Sequence, residues 1–313
     1  MADASHPSSL QADAAGIARA AALLAAGQIV AVPTETVYGL AADAANPQAV
    51  AAIFAAKGRP AANPLIVHVA DLAMARRHAR FPPLARRLAA RFWPGPLTLV
   101  LPRKAGAPLA KGVTAGLPTV ALRVPAHPAM QGVIRALGRG VAAPSANVSG
   151  RLSPTRASHV RDLPVALILD AGPCEAGLES TILKVAGEQA ILLRPGALAR
   201  ETIEAALGEP LGMAAADTAA EAPGMAFRHY APRLPVHLGV TAPEPDMFLI
   251  GFGAVAGDLN LSPAGDLAEA ARNLFAALHA AEASGATRIG VAPIPETGLG
   301  VAIADRLRRA AES

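Results

Sequence analysis

Residues Pro47–Val69 read PQAVAAIFAAKGRPAANPLIVHV, and the architecture is read outward from them. Pro47 suits a first helical turn, where its missing N–H is no loss, and Pro47–Ala56 has helical character. Lys57-Gly58-Arg59-Pro60 ends that helix, because glycine tolerates the left-handed backbone of a helix stop. Asn63-Pro64 breaks the chain again, and Leu65–Val69 reads as a strand in which His68 alternates with apolar neighbours.

Upstream, Met1–Pro7 reads as a loose tail, Gln11–Ala26 as a helix stopped by Gly27, and Gln28–Val32 as a short strand. Downstream, Leu84–Phe92, Pro128–Leu137 and Thr202–Leu207 read as helices. Leu97–Leu101, Thr119–Val124, Val165–Leu169, Thr181–Val185 and Ile191–Leu193 read as strands. Helices and strands mix without strict alternation, which favours a twisted mixed α/β sheet over a doubly wound one. Beyond Gly208 the chain turns rich in Ala, Pro and Gly, the composition of a linker. A second β-α-β-α unit follows: strand Met247–Ile250, helix Asp266–Ser284, strand Arg288–Ala292 and helix Val301–Ala310. The expected division is 1–208, a linker at 209–235, and a small Rossmann-like α/β domain at 236–313.

The 313 residues fit two domains. With 52% hydrophobic and 17% charged residues, a sizeable core is available. The net charge of +4 suits a polyanionic ligand, and equally an arginine-biased composition. Lys57, Lys104, Lys111 and Lys184 are the only lysines. One cysteine, Cys174, excludes an internal disulfide and a cysteine-held metal, so no protein metal site is expected. No apolar run reaches the ~18 residues of a membrane span, and Asp3 without a basic stretch does not resemble a signal peptide. A cytoplasmic protein without membrane contact is expected. Aromatic residues, at 3%, are too scarce for a base-stacking platform.

Phosphate loops of the G-x-x-x-x-G-K-[ST] type, H-E-x-x-H and C-x-x-C are absent. Gly251–Gly257 follows a strand but opens no clear helix, so it reads as a glycine turn. Pro33–Leu40, PTETVYGL, places hydroxyls, a carboxylate and a tyrosine at a strand end. That suits a ligand site, and also a capped turn with Thr34 or Thr36 as N-cap. Lys57 and Arg59 can face one phosphate chain, Arg as a fork and Lys as a point charge, or neutralise a helix C-terminus. His68 on its own reads more often as a satisfied core histidine than as a ligand. Ala142–Gly150, AAPSANVSG, with Ser153-Pro154-Thr155 beyond it, suits an anion nest or plain turn chemistry. GLESTI at Gly177–Ile182 and LRPG at Leu193–Gly196 put polar groups beside strands. In the linker, APGMAFRHYAP at Ala222–Pro232 is too rich in Met, Phe, His and Tyr to be a plain spacer.

Taken in order, PTETVYGL, KGRP with NPLIVHV, WPGPLTLVL, TVALRVPAHP, APSAN, ESTI and LRPG resemble the YrdC-type threonylcarbamoyl-AMP synthases. The likeness is to the long form with an extra C-terminal domain, and covers most of Gln28–Gly196 plus the linker motif. It implies an open twisted sheet with a concave basic cleft. It implies a reaction in which L-threonine, bicarbonate or CO2, and ATP give threonylcarbamoyl-AMP and pyrophosphate. The product would pass to a separate transferase that modifies tRNA. The family's catalytic K-x-R and S-x-N pairs fall on Lys57, Arg59, Ser145 and Asn147. Its ATP contacts fall on Arg59, Asn63, Thr119, Ser145, Ser153, Arg194 and, in the linker, Phe227. Its threonine contacts fall on Thr36, His68, Arg123, the backbone near Ala143, and Ser180. Mg2+ would be held mainly by the ATP phosphates. Phe227 stands where relatives often carry Tyr, ahead of His229-Tyr230, so a hydrogen bond through that hydroxyl is lost. A weak tRNA contact is a further expectation for such a synthase. Two other readings fit the residues: an RNA-binding module using the cleft without chemistry, and a carbamoyl-handling enzyme with another small acceptor.

Overall fold

The computed structural model describes residues 7–160, 163–214 and 230–312. The tail expected at Met1–Pro7, except for its last residue, and Phe227 and His229 of the linker motif lie outside the described residues.

The helix over Pro47–Lys57 begins as its sequence dictates. Asn46 accepts from the backbone N–H groups of Gln48 and Ala49, and Pro47 opens the first turn. It ends with Gly58 at φ 58°, in the left-handed region that glycine enters without strain. The Arg59 N–H then donates back to the Phe54 carbonyl, closing the turn and fixing Lys57 and Arg59 on either side of the stop.

The strand that follows, Ile66–His68, lies within an 11-stranded sheet. Its strand order is Ser9–Gln11, Leu167–Asp170, Val30–Val32, Gly39–Asp43, Val141–Ala142, Ile66–His68, Thr119–Arg123, Leu97–Pro102, Thr181–Ala186, Gln189–Arg194 and Gly212–Met213. Parallel and antiparallel pairs are interleaved, so the sheet is mixed. Ile66–His68 runs parallel to Thr119–Arg123 in a register that sets His68 beside Arg123 at the carboxyl ends of both strands.

Some elements differ from the sequence reading. The first helix spans Ala14–Ala25, capped by Asp13, and Ser9–Gln11 is instead an edge strand on Leu167–Asp170. No helix starts at PTETVYGL: the segment turns and enters the strand Gly39–Asp43. That strand, GLAAD, is buried on both faces, so alternation gives no sign of it. The short helix Leu72–His78 is held by the Asp71 cap rather than by an apolar stripe. Gly251–Gly257 forms a tight turn with no helix after it, and leads into the strand Leu259–Asn260.

The C-terminal unit is a four-stranded sheet in the order Val236–Leu238, Arg288–Val291, Met247–Gly251, Leu259–Asn260, parallel at every pair. Helices Leu267–Ala283 and Leu299–Ala311 pack on one another beside it. Its core takes in Leu152 and Leu178, which the chain supplies from the larger unit. The two units therefore share buried apolar surface. Gly177 shows how close they come: a Cβ there would stand 2.4 Å from the Arg272 Cα. No helix among the described residues is long and apolar enough to cross a membrane.

Candidate functional site

A pocket opens at the carboxyl ends of Ile66–His68 and Thr119–Arg123, where ligands sit in open α/β sheets. It has two ends, around Arg123 and around Arg194, with Arg59, Ala143, Pro144 and Ser145 between them.

At the Arg123 end, Thr34 organises the turn. Its hydroxyl donates to the Val37 carbonyl at 2.6 Å and accepts from the backbone N–H groups of Thr36 and Val37. With that proton used, the 2.8 Å contact between the two threonine hydroxyls is a donation from Thr36 to Thr34. Thr36 in turn accepts from Arg123 Nη1 at 2.8 Å. Thr34 thus orders a turn with no helix to cap, and both threonines line the pocket. Arg123 also donates through Nε to the Gly95 carbonyl and pairs through Nη2 with Glu35 at 2.6 Å. Burial pushes the Glu35 carboxyl up, but the Arg123 guanidinium outweighs it and the net shift is down. Burial, helped by Arg123, pushes His68 down to about 3, so the imidazole is neutral. Its Nδ1 is buried and has no hydrogen-bond partner among the described residues. Such an atom costs free energy unless something meets it, and His68 lines the pocket. Tyr38 is not part of the site: it is fully buried and donates to the Gly172 carbonyl.

Lys57 is buried, with 2% of its surface exposed. Its ammonium donates to the Ser145 carbonyl at 2.5 Å, to the Asn147 carbonyl, and at 3.4 Å to Asn147 Oδ1. Those acceptors match the donors of an ammonium. Desolvation, then the Arg59 charge, pulls its pKa well below the usual lysine range. Lys57 is thus a strut under the APSAN loop. Asn147 completes that loop by donating to the Val148 and Arg151 carbonyls. Ser145 is left half-buried at the pocket wall.

Arg59 is buried and donates to the Asn63 and Pro64 carbonyls. Burial lowers its pKa to about 10, with the nearby Arg194 charge acting the same way. At the other end, Arg194 donates to the Ser180 carbonyl at 2.7 Å, and Ser180 shares a hydrogen bond with Thr98. Ser153 is fully buried and donates to Glu179. Burial raises the Glu179 pKa, but Arg306 and Arg194 beside it turn the net shift downward. Gly196 of LRPG lies so close that a Cβ would meet the Glu179 carbonyl at 2.4 Å.

Of the residues named from sequence, Thr36, Arg59, His68, Arg123, Ala143, Ser145, Ser180 and Arg194 line this pocket together. Lys57, Asn63, Asn147 and Ser153 stand behind it, each bonded to a lining residue or its loop. Thr119 begins its strand opposite Pro102, at the far end from Arg123, and does not line the pocket. Glu35, Glu179, Tyr230 and Arg306 carry the site's remaining electrostatics. Glu35 and Glu179 sit inside the quoted motifs. Tyr230 sits in the linker cluster, whereas nothing in the sequence marks Arg306.

Two family models match the chain. One described as telomere recombination, covering Sua5, YciO and YrdC proteins, matches residues 22–196. One described as the threonylcarbamoyl-AMP synthase C-terminal domain matches residues 198–312. The chain is 42% identical to threonylcarbamoyl-AMP synthase of Bacillus subtilis, over 94% of this chain and 92% of that protein. It is 41% identical to threonylcarbamoyl-AMP synthase of Pyrococcus abyssi, over 93% and 92% respectively. The crystal structure of P. abyssi Sua5 complexed with L-threonine superposes with a TM-score of 0.88 at 39% identity, covering 98% of this chain and 97% of that one.

Proposed function

The chain belongs to the Sua5–YciO–YrdC family, with the C-terminal domain of the threonylcarbamoyl-AMP synthases, and on that premise we propose that it is such a synthase, a nucleotidyltransferase acting on L-threonine, bicarbonate and ATP. The observation that carries the reading is the pairing of neutral His68 with Arg123 on adjacent parallel strands, facing a pocket that also holds Arg59 and Arg194.

The Arg123 end suits the amino acid. Arg123 has five N–H groups, and those toward Gly95, Thr36 and Glu35 are engaged. The remaining donors meet the threonine carboxylate, the planar recognition for which Arg is suited. His68 Nδ1 completes that end, with the backbone at Ala143 as its floor, and Ser180, held by Arg194, meets the amino acid from the other end. The triphosphate lies along Arg59, Ser145 and Arg194. The threonine amine takes up carbon from bicarbonate with loss of water, giving a carbamate. A carbamate oxygen then bonds to the α-phosphorus as the bond to the β-phosphate oxygen breaks, and pyrophosphate leaves with that electron pair. No protein nucleophile is needed; positioning and charge neutralisation suffice. Lys57 and Asn147 serve by holding the loop that presents Ser145. Asn63 braces Arg59, and Ser153 acts through Glu179.

Mg2+ fits this donor set as a companion of the phosphates. Glu179, which lines the pocket, and Glu35 behind it are both committed to arginines, which leaves the Ser145 hydroxyl to complete its shell. When bound it offsets the charge that builds on pyrophosphate. We read the chain as a catalytic unit at 1–208, a linker at 209–235 and a C-terminal domain at 236–313. It would act in the cytoplasm and pass its product to a separate tRNA-modifying transferase.

The test is pyrophosphate release from ATP with Mg2+ and bicarbonate, with and without L-threonine, and with serine as control. Release that requires threonine is expected. Folded protein that binds ATP and releases none would overturn the reading.

A further inference from the structure

Arg306 belongs to the last helix of the C-terminal domain, yet its side chain reaches Glu179, which lines the pocket of the other unit. It is entirely buried. Its Nε donates to Glu179 at 2.9 Å, its Nη2 to the Pro195 carbonyl at 2.9 Å, and its Nη1 to Asp305 at 2.5 Å. The guanidinium also lies 4.8 Å from the centre of the Tyr230 ring, a cation–π distance. Tyr230 itself holds φ at 66°, a left-handed backbone that a bulky side chain adopts only when its surroundings impose it. Arg306 and Phe275, whose ring centre lies at 5.8 Å, supply those surroundings.

A fully buried cation is retained only where its partners compensate the lost hydration. Here burial works against the charge, but Tyr230, Glu179 and Asp305 together raise the pKa of Arg306 above the ordinary arginine value. The partners matter for the pocket. Glu179 accepts from Ser153, lies in the field of Arg194, and lines the pocket with Arg194 and Tyr230. Without Arg306, Glu179 would be a buried carboxylate on the wall of a site for a polyanion. Its nearest remaining counter-charge would be Arg194, drawn out of its position at the pocket.

We propose that Arg306 is a positioning residue for the nucleotide end of the pocket. By neutralising Glu179 and seating Tyr230, it keeps Arg194 on the Ser180 carbonyl at the pocket wall, where the ATP phosphates meet it, and the C-terminal domain thereby completes the site. This rests on the synthase reading above.

The experiment compares full-length protein with Arg306→Lys, Arg306→Met and the double variant Arg306→Met/Glu179→Gln. KM for ATP and for threonine are measured separately, with calorimetric binding of a non-hydrolysable ATP analogue and thermal unfolding alongside. Arg306→Lys keeps the charge and loses the fork, and should raise the ATP KM about tenfold, the loss of one charge-assisted hydrogen bond. The threonine KM should stay within about twofold. Arg306→Met should be worse, and the double variant should regain analogue affinity over it, because a neutral Gln no longer draws Arg194. A purely structural role would not produce that recovery. The proposal falls if the folded single variants bind the analogue like the parent, if both KM values rise together, or if every Arg306 variant, Lys included, fails to fold. If the parent binds the analogue but releases no pyrophosphate, the synthase reading fails, while the analogue titrations still decide the role of Arg306.

Discussion

The two ends of the pocket are built differently. The Arg123 end comes from neighbouring strands and one turn of the larger sheet, with Thr34, Glu35 and Thr36 close in sequence and His68 in register with Arg123. The Arg194 end is assembled over long range: Ser153, Glu179 and Tyr230 meet Arg306, which lies 127 residues beyond Glu179. Each end sets a buried carboxylate against a buried arginine, Glu35 with Arg123 and Glu179 with Arg306. In the first pair the arginine faces the pocket; in the second the carboxylate does, and the arginine stands behind it. The first end is built within one sheet, whereas the second takes Arg306 from the C-terminal unit.

The strongest blow to both ends at once is Lys57→Ala. It leaves the Ser145 and Asn147 carbonyls without their buried donor. Unfolding in urea should show a loss of about 3 kcal/mol, typical of orphaned buried polar groups. Turnover should fall about a thousandfold as the APSAN loop shifts. A variant as stable and active as the parent would refute the strut. Next in size is Arg123→Ala, which sharpens the division between the ends. The threonine KM should rise about a hundredfold, the range of a lost bidentate pair, with the ATP KM little changed. It also strands Glu35, so Arg123→Ala/Glu35→Gln should recover stability without recovering threonine binding. If threonine binding returned, Arg123 would be a structural partner only.

Much of the Arg123 end was legible in the chain because its parts are local. A scarce lysine beside a glycine stop, a histidine within an apolar strand, and a threonine-rich turn each carry a short-range signature. The strand Gly39–Asp43 was not legible, since a short alanine-rich run buried on both faces shows no period. Lys57 shows a second limit. Its scarcity marked it, but the direction of its side chain depends on a loop 88 residues away. Arg306 was hidden for a stronger reason. It occupies a helix with other arginines, Arg308 and Arg309, which are more exposed. Only the docking of the domains separates the buried one from its neighbours.

Acid reaches the Arg123 end first through His68, in a window that Glu35 and Glu179, one at each end, do not share. His68 titrates near 6.5 when unfolded and near 3 in the folded protein. Below about pH 6.5 the unfolded chain therefore binds a proton that the native state refuses, and stability falls as pH is lowered. Each such group contributes a slope of about 1.4 kcal/mol per pH unit. Other histidines with lowered pKa values act in the same sense, so the readout is a difference. His68→Gln should remove one proton's slope between about pH 6 and 5. Glu35 and Glu179 act at lower pH. Their folded pKa values lie below 4.5, so the stability they contribute is present above that value and is lost as pH falls through the folded pKa. An unchanged slope in His68→Gln would mean that the imidazole is not held neutral.

The smallest effect concerns a second ion pair between the two units. Arg151 donates to Glu282 at 3.0 Å, with 34% of its side chain exposed. Glu282 also accepts from the Arg233 backbone, so it keeps a partner when Arg151 is removed. Exposed pairs of this kind gain little in water because solvent screens the charges and ordering long side chains costs entropy. Arg151→Ala should therefore change stability by no more than about 0.5 kcal/mol and leave the ATP KM alone. The pair spans the same domain boundary as Arg306 and Glu179, with the same charge types, so the two differ chiefly in burial. A change in ATP KM on losing Arg151 would show that any loosening of the interface disturbs the nucleotide end, and that docking as such, rather than the buried guanidinium, governs it. No change would leave the coupling to the groups that water cannot reach.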